Sequence, residues 1–382
     1  MQVKLTTKPV NAIESTAVLH QTAFWADVKK QQGWKACAFD IHIPSDDLSL
    51  KKDTDKHPGN ATDDIMVVLR KVNREKYIAY VPYGPVIEPD PELQGQLLEE
   101  LSESLRPFLP SGCMLIRYDL RWESAWANDE DRYDLQHRWL GPPEPAIQEM
   151  RMNFNTTTGN LRKSSSDNLP SNTIFIGLEK ETNQLLQKMK PKTRYNIQLS
   201  QRKGVVVKDV SADNLPVWYN LYKETAIRNG IYLQGIEYFE SIVHNQQAHS
   251  ASPARVHLLM AEANGLPLAG MFLAIAGGRA TYLYGASSTE LRNFMGTYAL
   301  QWEAIKIAKA SGCREYDMFG VSQPGLTSHP LYGLYRFKSG FGGYLYHRMG
   351  CWDYPLLQND YNEFRSHEMN SRGFHIKNTV AD

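Results

Sequence analysis

The sequence predicts an α+β chain built as two tandem halves from an internal duplication. Three observations predict it. PSGCMLIRYDLRW (110–122) and ASGCREYDMFGV (310–321) share Ser-Gly-Cys with a nearby Tyr-Asp, and Cys113 and Cys313 lie 200 positions apart. Upstream, VPYGP and YLYGA place Tyr83-Gly84 and Tyr284-Gly285 at an offset of 201, a period that belongs to a duplicated domain and not to a solenoid. Each copy carries a helical pattern between its two anchors, and 382 residues with 42% hydrophobic content suffice for two cores.

The elements follow in order. HQTAFWADVKKQQGW (20–34) predicts an opening helix. PSDDLSLKKDTDKHPGNATDD (44–64) is polar and without apolar periodicity, hence a loop or insertion. In the first copy a strand leads into the Tyr83-Gly84 turn, PELQGQLLEELSESLRPFL is a helix, and MLIRYDLRW is a strand. FNTTTGNLRKSSSDNLPSN (154–172) is a second polar segment, expected to end the first domain. TIFIG then predicts a strand, followed by a helix with Leu185, Leu186 and Met189 on one face. In the second copy, RVHLLMAEANGLPLAGMFLAIAGGRATYLYGASS predicts three strands joined at Asn264-Gly265 and Gly277-Gly278, dipeptides that accept the positive φ of tight hairpins. A helix from Thr297 to Ala310 and a strand from Glu315 to Gly320 complete it.

Charge and cysteine usage narrow the chemistry. Lys plus Arg (42) equals Asp plus Glu (42), so any nucleic-acid contact comes from a local patch and not from a field over the whole surface. The amino terminus has no apolar core of signal-peptide length, and no apolar run of membrane-spanning length occurs. A cytoplasmic protein without membrane insertion is expected. Cys37, Cys113, Cys313 and Cys351 are widely spaced with no C-x-x-C, which suits reduced core residues better than a metal site. No metal is expected.

Several constellations carry candidate chemistry. Six basic residues and no acidic one fall between Lys188 and Lys203: Lys188, Lys190, Lys192, Arg194, Arg202 and Lys203. Such a run is either a solvated helix face or a polyanion contact. Arg228 and Tyr232 lie four apart around the helix-breaking Gly230, where a guanidinium forks onto a phosphate or merely caps a helix end. Tyr83 and Tyr284 line a groove or belong to the core. Asp119 and Asp317 stand at equivalent places in the repeat; a shared fold role argues against a general base at Asp119, and a strand carboxylate satisfied by backbone donors is favoured over a general base. In HPLYGLYRFKSGFGG (329–343), Lys338 and Arg336 stand among aromatic and glycine residues, either in an aromatic edge strand with a Gly turn or as a lysine held by an aromatic scaffold. Gly296, with Arg292 near it, is the single glycine of a strand-helix turn, a weak signature for a coenzyme A pyrophosphate.

The combination KMKPKTRYNIQLSQRKGV, RNGIY, YLYGASS, YALQWEAIKIAKASGCREYDMFGV and HPLYGLYRFKSGFGG resembles the FemABX family of aminoacyl-tRNA-dependent peptidoglycan-bridge transferases. The resemblance covers most of the chain, except the two polar segments and the tail after about residue 355. It implies two tandem domains of the GCN5-related N-acetyltransferase fold, the first formed by 1–165 plus about 345–382 and the second by 166–344. FESIVHNQQAHSASPARVHLL leaves no room for the coiled-coil arm of some members, so the chain is similar to the armless ones. The resemblance also implies a cofactor-free reaction. An amino acid (Gly, Ala or Ser) passes from its tRNA to the side-chain amine of the third stem-peptide residue of UDP-MurNAc-pentapeptide or lipid II. Lys338 would stand by the reacting ester and Phe337 by the terminal adenosine. Lys29, Arg228 and Tyr232, with Tyr83 and Tyr284, would bind the nucleotide-linked acceptor. Lys188, Lys190, Lys192, Arg194 and Arg336 would meet phosphates, either of the tRNA acceptor stem or of a nucleotide-sugar pyrophosphate. The chain is expected to act as a monomer. An acyl-CoA-dependent N-acyltransferase of the same fold, a noncatalytic tRNA- or muropeptide-binding protein, and a tRNA-dependent transferase with another acceptor remain alternatives.

Overall fold

A computed structural model describes residues 1–44, 61–245, 249–324, 326, 329 and 331–370. Most of the polar segment 44–64 and the end of the expected return segment, 371–382, lie outside the described residues. The first half runs β1 (Lys4–Lys8), α1 (Ala23–Gln31), β2 (Lys35–Ile43), β3 (Ala61–Lys71), β4 (Tyr77–Val81), α2 (Gln94–Leu105) and β5 (Cys113–Glu123). After α3 (Pro145–Met152) and β6 (Arg162–Lys163), the second half runs β7 (Asn172–Gly177), α4 (Thr182–Lys188), α5 (Pro191–Arg202), β8 (Val206–Val210), α6 (Leu215–Asn229), α7 (Ile236–Val243), β9 (Arg255–Ala263), β10 (Leu266–Ala276), β11 (Arg279–Ser287), α8 (Gly296–Ala310), β12 (Glu315–Gly320) and α9 (Tyr332–Lys338). The long β13 (Tyr344–Pro355) and α10 (Gln358–Asn370) follow.

The duplication is visible in the strand order. β1-β2-β3-β4 is antiparallel and β5 joins β4 in parallel, the crossover being made by α2. β8-β9-β10-β11 is likewise antiparallel and β12 joins β11 in parallel after α8. A parallel pair needs such a crossover, so the anchors flank equivalent units. One continuous sheet results because β13 is shared: Tyr344 to His347 pair with β7, whereas Arg348 to Pro355 pair with β5.

Local chemistry explains the boundaries. The Thr22 hydroxyl caps α1 by accepting from the Trp25 amide. Both expected hairpins form, with φ of 53° and 75° at Asn264 and Gly265 and of 50° and 78° at Gly277 and Gly278. A Cβ at Gly277 would lie 2.2 Å from the Thr16 backbone, so this glycine also lets the segment before α1 cross the second half. The segment 154–172 is more structured than its polarity suggested. The Glu99 carboxylate accepts from the Thr157 and Thr158 amides, and β6 pairs with β13.

Each half has its own core, a small cluster of Ile78, Met114, Leu115 and Tyr361 lies under α10, and one further core is common to both halves. Phe24 and Trp25 of α1 and Met66 and Val68 of β3 pack with Trp218 of α6, Phe239 of α7 and Phe272 of β10. Burial of each such aromatic side chain is worth about 1.5–3 kcal/mol, so the halves are locked by apolar packing as well as by the sheet. Among the described residues no helix is long and apolar enough to cross a membrane.

Candidate functional site

The two halves differ where their parallel strands part. β4 and β5 stay paired from Tyr77 to Val81, to the end of β4. β11 and β12 pair only at Arg279 with Glu315, Ala280 with Tyr316 and Thr281 with Asp317, while β11 continues to Ser287. Beyond that last pair the ladder of β12 with β7 is also irregular between Asp317 and Gly320, and Phe319 takes φ of 61°.

Lys338 occupies this opening. YRFK is the end of helix α9 and not an edge strand, and Ser339–Phe341 after it form a short turn of helix that ends at Gly342. Nor is Lys338 a solvated lysine, being 3% exposed. Its Nζ donates to the Gly320 carbonyl at 2.9 Å and to the Phe319 carbonyl at 3.3 Å, and lies 4.9 Å from the Tyr282 ring centroid. Burial pulls its pKa down to about 7, with Asp317 acting in the opposite direction. Phe337 packs edge-on against Tyr298 and Phe341 at 5.0 and 5.2 Å.

Other candidates gather in two groups. Lys29 on α1 lies over Trp25, Trp34 and Tyr238 at 5.2, 5.1 and 5.6 Å, and burial lowers its pKa to about 8. The Tyr238 and Tyr284 hydroxyls share a hydrogen bond, which brings Lys29 and Tyr284 to one aromatic cluster. Arg228 closes the end of β11 by donating to the Ser287 carbonyl and hydroxyl at 3.1 and 2.8 Å and to the Thr289 hydroxyl at 3.0 Å. Tyr232 is 57% exposed just beyond α6. The second group lies beside α9. Lys188, Lys190, Lys192 and Arg336 are exposed, the Lys190 amide donates to the Gly340 carbonyl at 2.9 Å, and its Nζ donates to Ser339 at 3.3 Å.

Two expected members point elsewhere. Arg194 turns inward onto the Gln187 and Met189 carbonyls at the end of α4, because those helix-end acceptors need donors. Tyr83 is buried at the junction of the halves, donates to the Pro170 carbonyl at 2.8 Å and accepts from Arg348 at 3.2 Å. Its environment is thus distinct from that of Tyr284, despite the shared anchor. The Asp pair diverges too: Asp119 accepts from Tyr80 and the Leu169 amide, whereas Asp317 accepts from Thr173, the Phe319 amide and Arg348.

Sequence reasoning missed the residues that join these parts. His20 packs on Trp25 at 4.4 Å, on Tyr83 at 5.0 Å and stacks on Phe319 at 5.8 Å, so an aromatic path runs from Lys29 to the carbonyl that holds Lys338. Burial holds His20 neutral, with a pKa of about 3. Only its place just before α1 distinguishes it in the sequence.

The profile of the FemAB family matches residues 12–264 and 246–366. The chain belongs to the FemAB family. This FemAB protein is 26% identical over 246 residues to a lipid II:glycine glycyltransferase of Staphylococcus epidermidis, covering 50% of this chain and 59% of that one. It is 24% identical over 253 residues to the lipid II:glycine glycyltransferase of Staphylococcus aureus, with 50% and 60% covered. The chain thus spans about 59–60% of the length of these relatives. The crystal structure of FemX superposes with a TM-score of 0.69 at 20% identity, over 93% of this chain and 96% of that one, so the fold is shared along nearly the whole length.

Proposed function

We propose that this FemAB protein is a cytoplasmic, cofactor-free aminoacyltransferase. It moves Gly, Ala or Ser from aminoacyl-tRNA to the side-chain amine of the third stem-peptide residue of UDP-MurNAc-pentapeptide or lipid II. The observation that carries this reading is the buried Lys338, fixed by the Phe319 and Gly320 carbonyls where β11 and β12 part and flanked by an exposed basic rim. In the proposed division of labour, residues 1–165 with 345–382 serve the acceptor, and 166–344 serve both substrates.

The chemistry requires little else. The acceptor amine, in its neutral form, attacks the ester carbonyl and gives a tetrahedral oxyanion. Two N–H groups of the Lys338 ammonium are taken by backbone carbonyls, and the third is available to the oxyanion. Collapse expels the ribose oxygen, which takes the proton lost by the amine. Phe337 lies beside the terminal adenosine, and Lys188, Lys190, Lys192 and Arg336 meet phosphates next to it. Lys29, Arg228, Tyr232 and Tyr284 hold the acceptor's diphosphate side. Arg194 and Tyr83 act through the scaffold, given the hydrogen bonds they already make.

Incubation of the chain with radiolabelled aminoacyl-tRNAs and either acceptor tests the reading. RNase-sensitive transfer to one acceptor supports it, and no transfer to either sinks it. The rival acyl-CoA reading requires coenzyme A to raise the thermal unfolding midpoint.

A further inference from the structure

A separate small cleft lies between the halves, on the far side of the Thr281 and Asp317 pair from Tyr282. Its walls bring together Arg121 of β5, Arg279 of β11 and Arg348 of β13, with His20, Thr281 and Asp317. We propose that this cleft binds an oxyanion, and that its occupant is a carboxylate of the acceptor's peptide portion; the choice of occupant rests on the transferase reading above.

The donors support this. Arg348 is committed to Asp317, Tyr83 and the Pro170 carbonyl. Arg279 forms an ion pair with Glu315 at 2.8 Å, and Arg121 donates one Nη to the Val86 carbonyl at 2.8 Å while standing in the field of Glu88 and Asp63. Yet the Nε of Arg121 and the Nε of Arg279 are both buried and have no hydrogen-bond partner among the described residues. A buried N–H without an acceptor is costly, and two such groups on arginines that line one cleft point to an acceptor group there. Guanidinium geometry favours a carboxylate or phosphate oxygen there. His20, neutral and stacked on Phe319, supplies an apolar wall and no competing charge. The position also fits a peptide. Asp317 ends the paired part of the strands whose next residues hold Lys338, so a carboxylate in the cleft anchors a substrate whose amine reaches the opening.

Calorimetric titration of the full chain, without tRNA, tests this with N-acetyl-D-alanyl-D-alanine, its carboxamide and inorganic phosphate. The free-carboxylate peptide is expected to bind, and the carboxamide to bind at least tenfold more weakly. Arg121→Gln and Arg279→Lys are each expected to weaken the peptide at least tenfold. The lysine keeps a cation opposite Glu315 and removes the Nε donor. Unfolding midpoints of the two variants, measured without ligand, separate lost fold from lost binding. Equal binding of the carboxamide, wild-type affinity in a folded variant, phosphate binding without peptide binding, or no binding at all overturns the proposal. Transfer is scored apart: transfer without peptide binding removes this site and leaves the function, and peptide binding without transfer does the reverse.

Discussion

Lys338 donates from Nζ to the Gly320 carbonyl at 2.9 Å, across the point where β12 has just separated from β11. That single contact ties helix α9 to the opening in the sheet. It also explains the unusual backbone beside it, since Phe319 adopts φ of 61° and so turns its own carbonyl toward the same ammonium. A left-handed conformation at a bulky residue persists only where the surroundings hold it, and here His20 stacks on the Phe319 ring.

Lys338→Met is expected to lower kcat for aminoacyl transfer by about 10²–10³-fold, the usual loss for one oxyanion donor. Methionine retains an apolar stem of similar length, so the fold and acceptor affinity should stay close to wild type. Single-turnover transfer at saturating aminoacyl-tRNA reads this directly. An increase confined to KM for the tRNA, fading at high salt, would instead make the lysine a phosphate contact.

The same lysine sets a pH dependence. Its folded pKa is about 7 against an ordinary 10.5, so between these values the unfolded chain binds a proton that the folded chain lacks. Its contribution therefore makes unfolding free energy rise with pH from about 7 to 10.5, and Lys338→Met should remove that rise. Urea unfolding of both chains across this range checks it. Because the ammonium is the working form and the acceptor amine reacts neutral, turnover should rise with pH as the amine deprotonates and level off above about 7, where loss of the ammonium offsets that gain, and a rise continuing unbroken to pH 9 would contradict that role.

The sequence disclosed the fold wherever local pattern and tertiary need agreed. Asn264-Gly265, Gly277-Gly278 and the strand from Glu315 to Gly320 stand where turn chemistry and alternation put them. It disclosed the site less fully, because the burial that defines Lys338 comes from three separated segments: α9, the irregular end of β12 and Tyr282. Arg194 and Lys190 look alike in the sequence, yet helix-end carbonyls capture the first and leave the second exposed. Tyr83 and Tyr284 share an anchor, but β13 brings Arg348 only to Tyr83.

Arg228→Ala should weaken acceptor binding by about tenfold or more and leave tRNA affinity nearly unchanged, as expected for loss of a charge-assisted contact. Ser287 and Thr289 hold the guanidinium in place, so Ser287→Ala should give a smaller loss of the same kind. Titration with the nucleotide-linked precursor measures both. Wild-type affinity in Arg228→Ala would retire the assignment.

Arg117→Met should cost about 3–5 kcal/mol of stability. The guanidinium forks onto Asp353 at 2.7 and 2.8 Å and onto Glu368 at 2.6 and 2.9 Å, tying β5, β13 and α10 together. Removing it leaves the buried Asp353 and the half-buried Glu368 carboxylates facing one another, and chemical denaturation should show the loss. A change below about 1 kcal/mol would mean that solvent reaches this cluster.

Asp119 gives the stability curve its second slope, of opposite sign. Burial, aided by the charge of Asp167, raises its pKa to about 7, and its Oδ1 has no hydrogen-bond partner among the described residues. Between pH 4 and 7 the folded chain keeps a proton that the unfolded chain has released, so its contribution makes stability fall as pH rises through that window. Above about 7 the burden is complete, on the order of a few kcal/mol. Asp119→Asn should abolish this slope while preserving the acceptor oxygen for Tyr80 and the Leu169 amide. The variant is then less pH-sensitive than wild type and more stable near pH 8. Identical slopes in the two chains from pH 4 to 7 would show that the carboxyl ionises normally inside the fold.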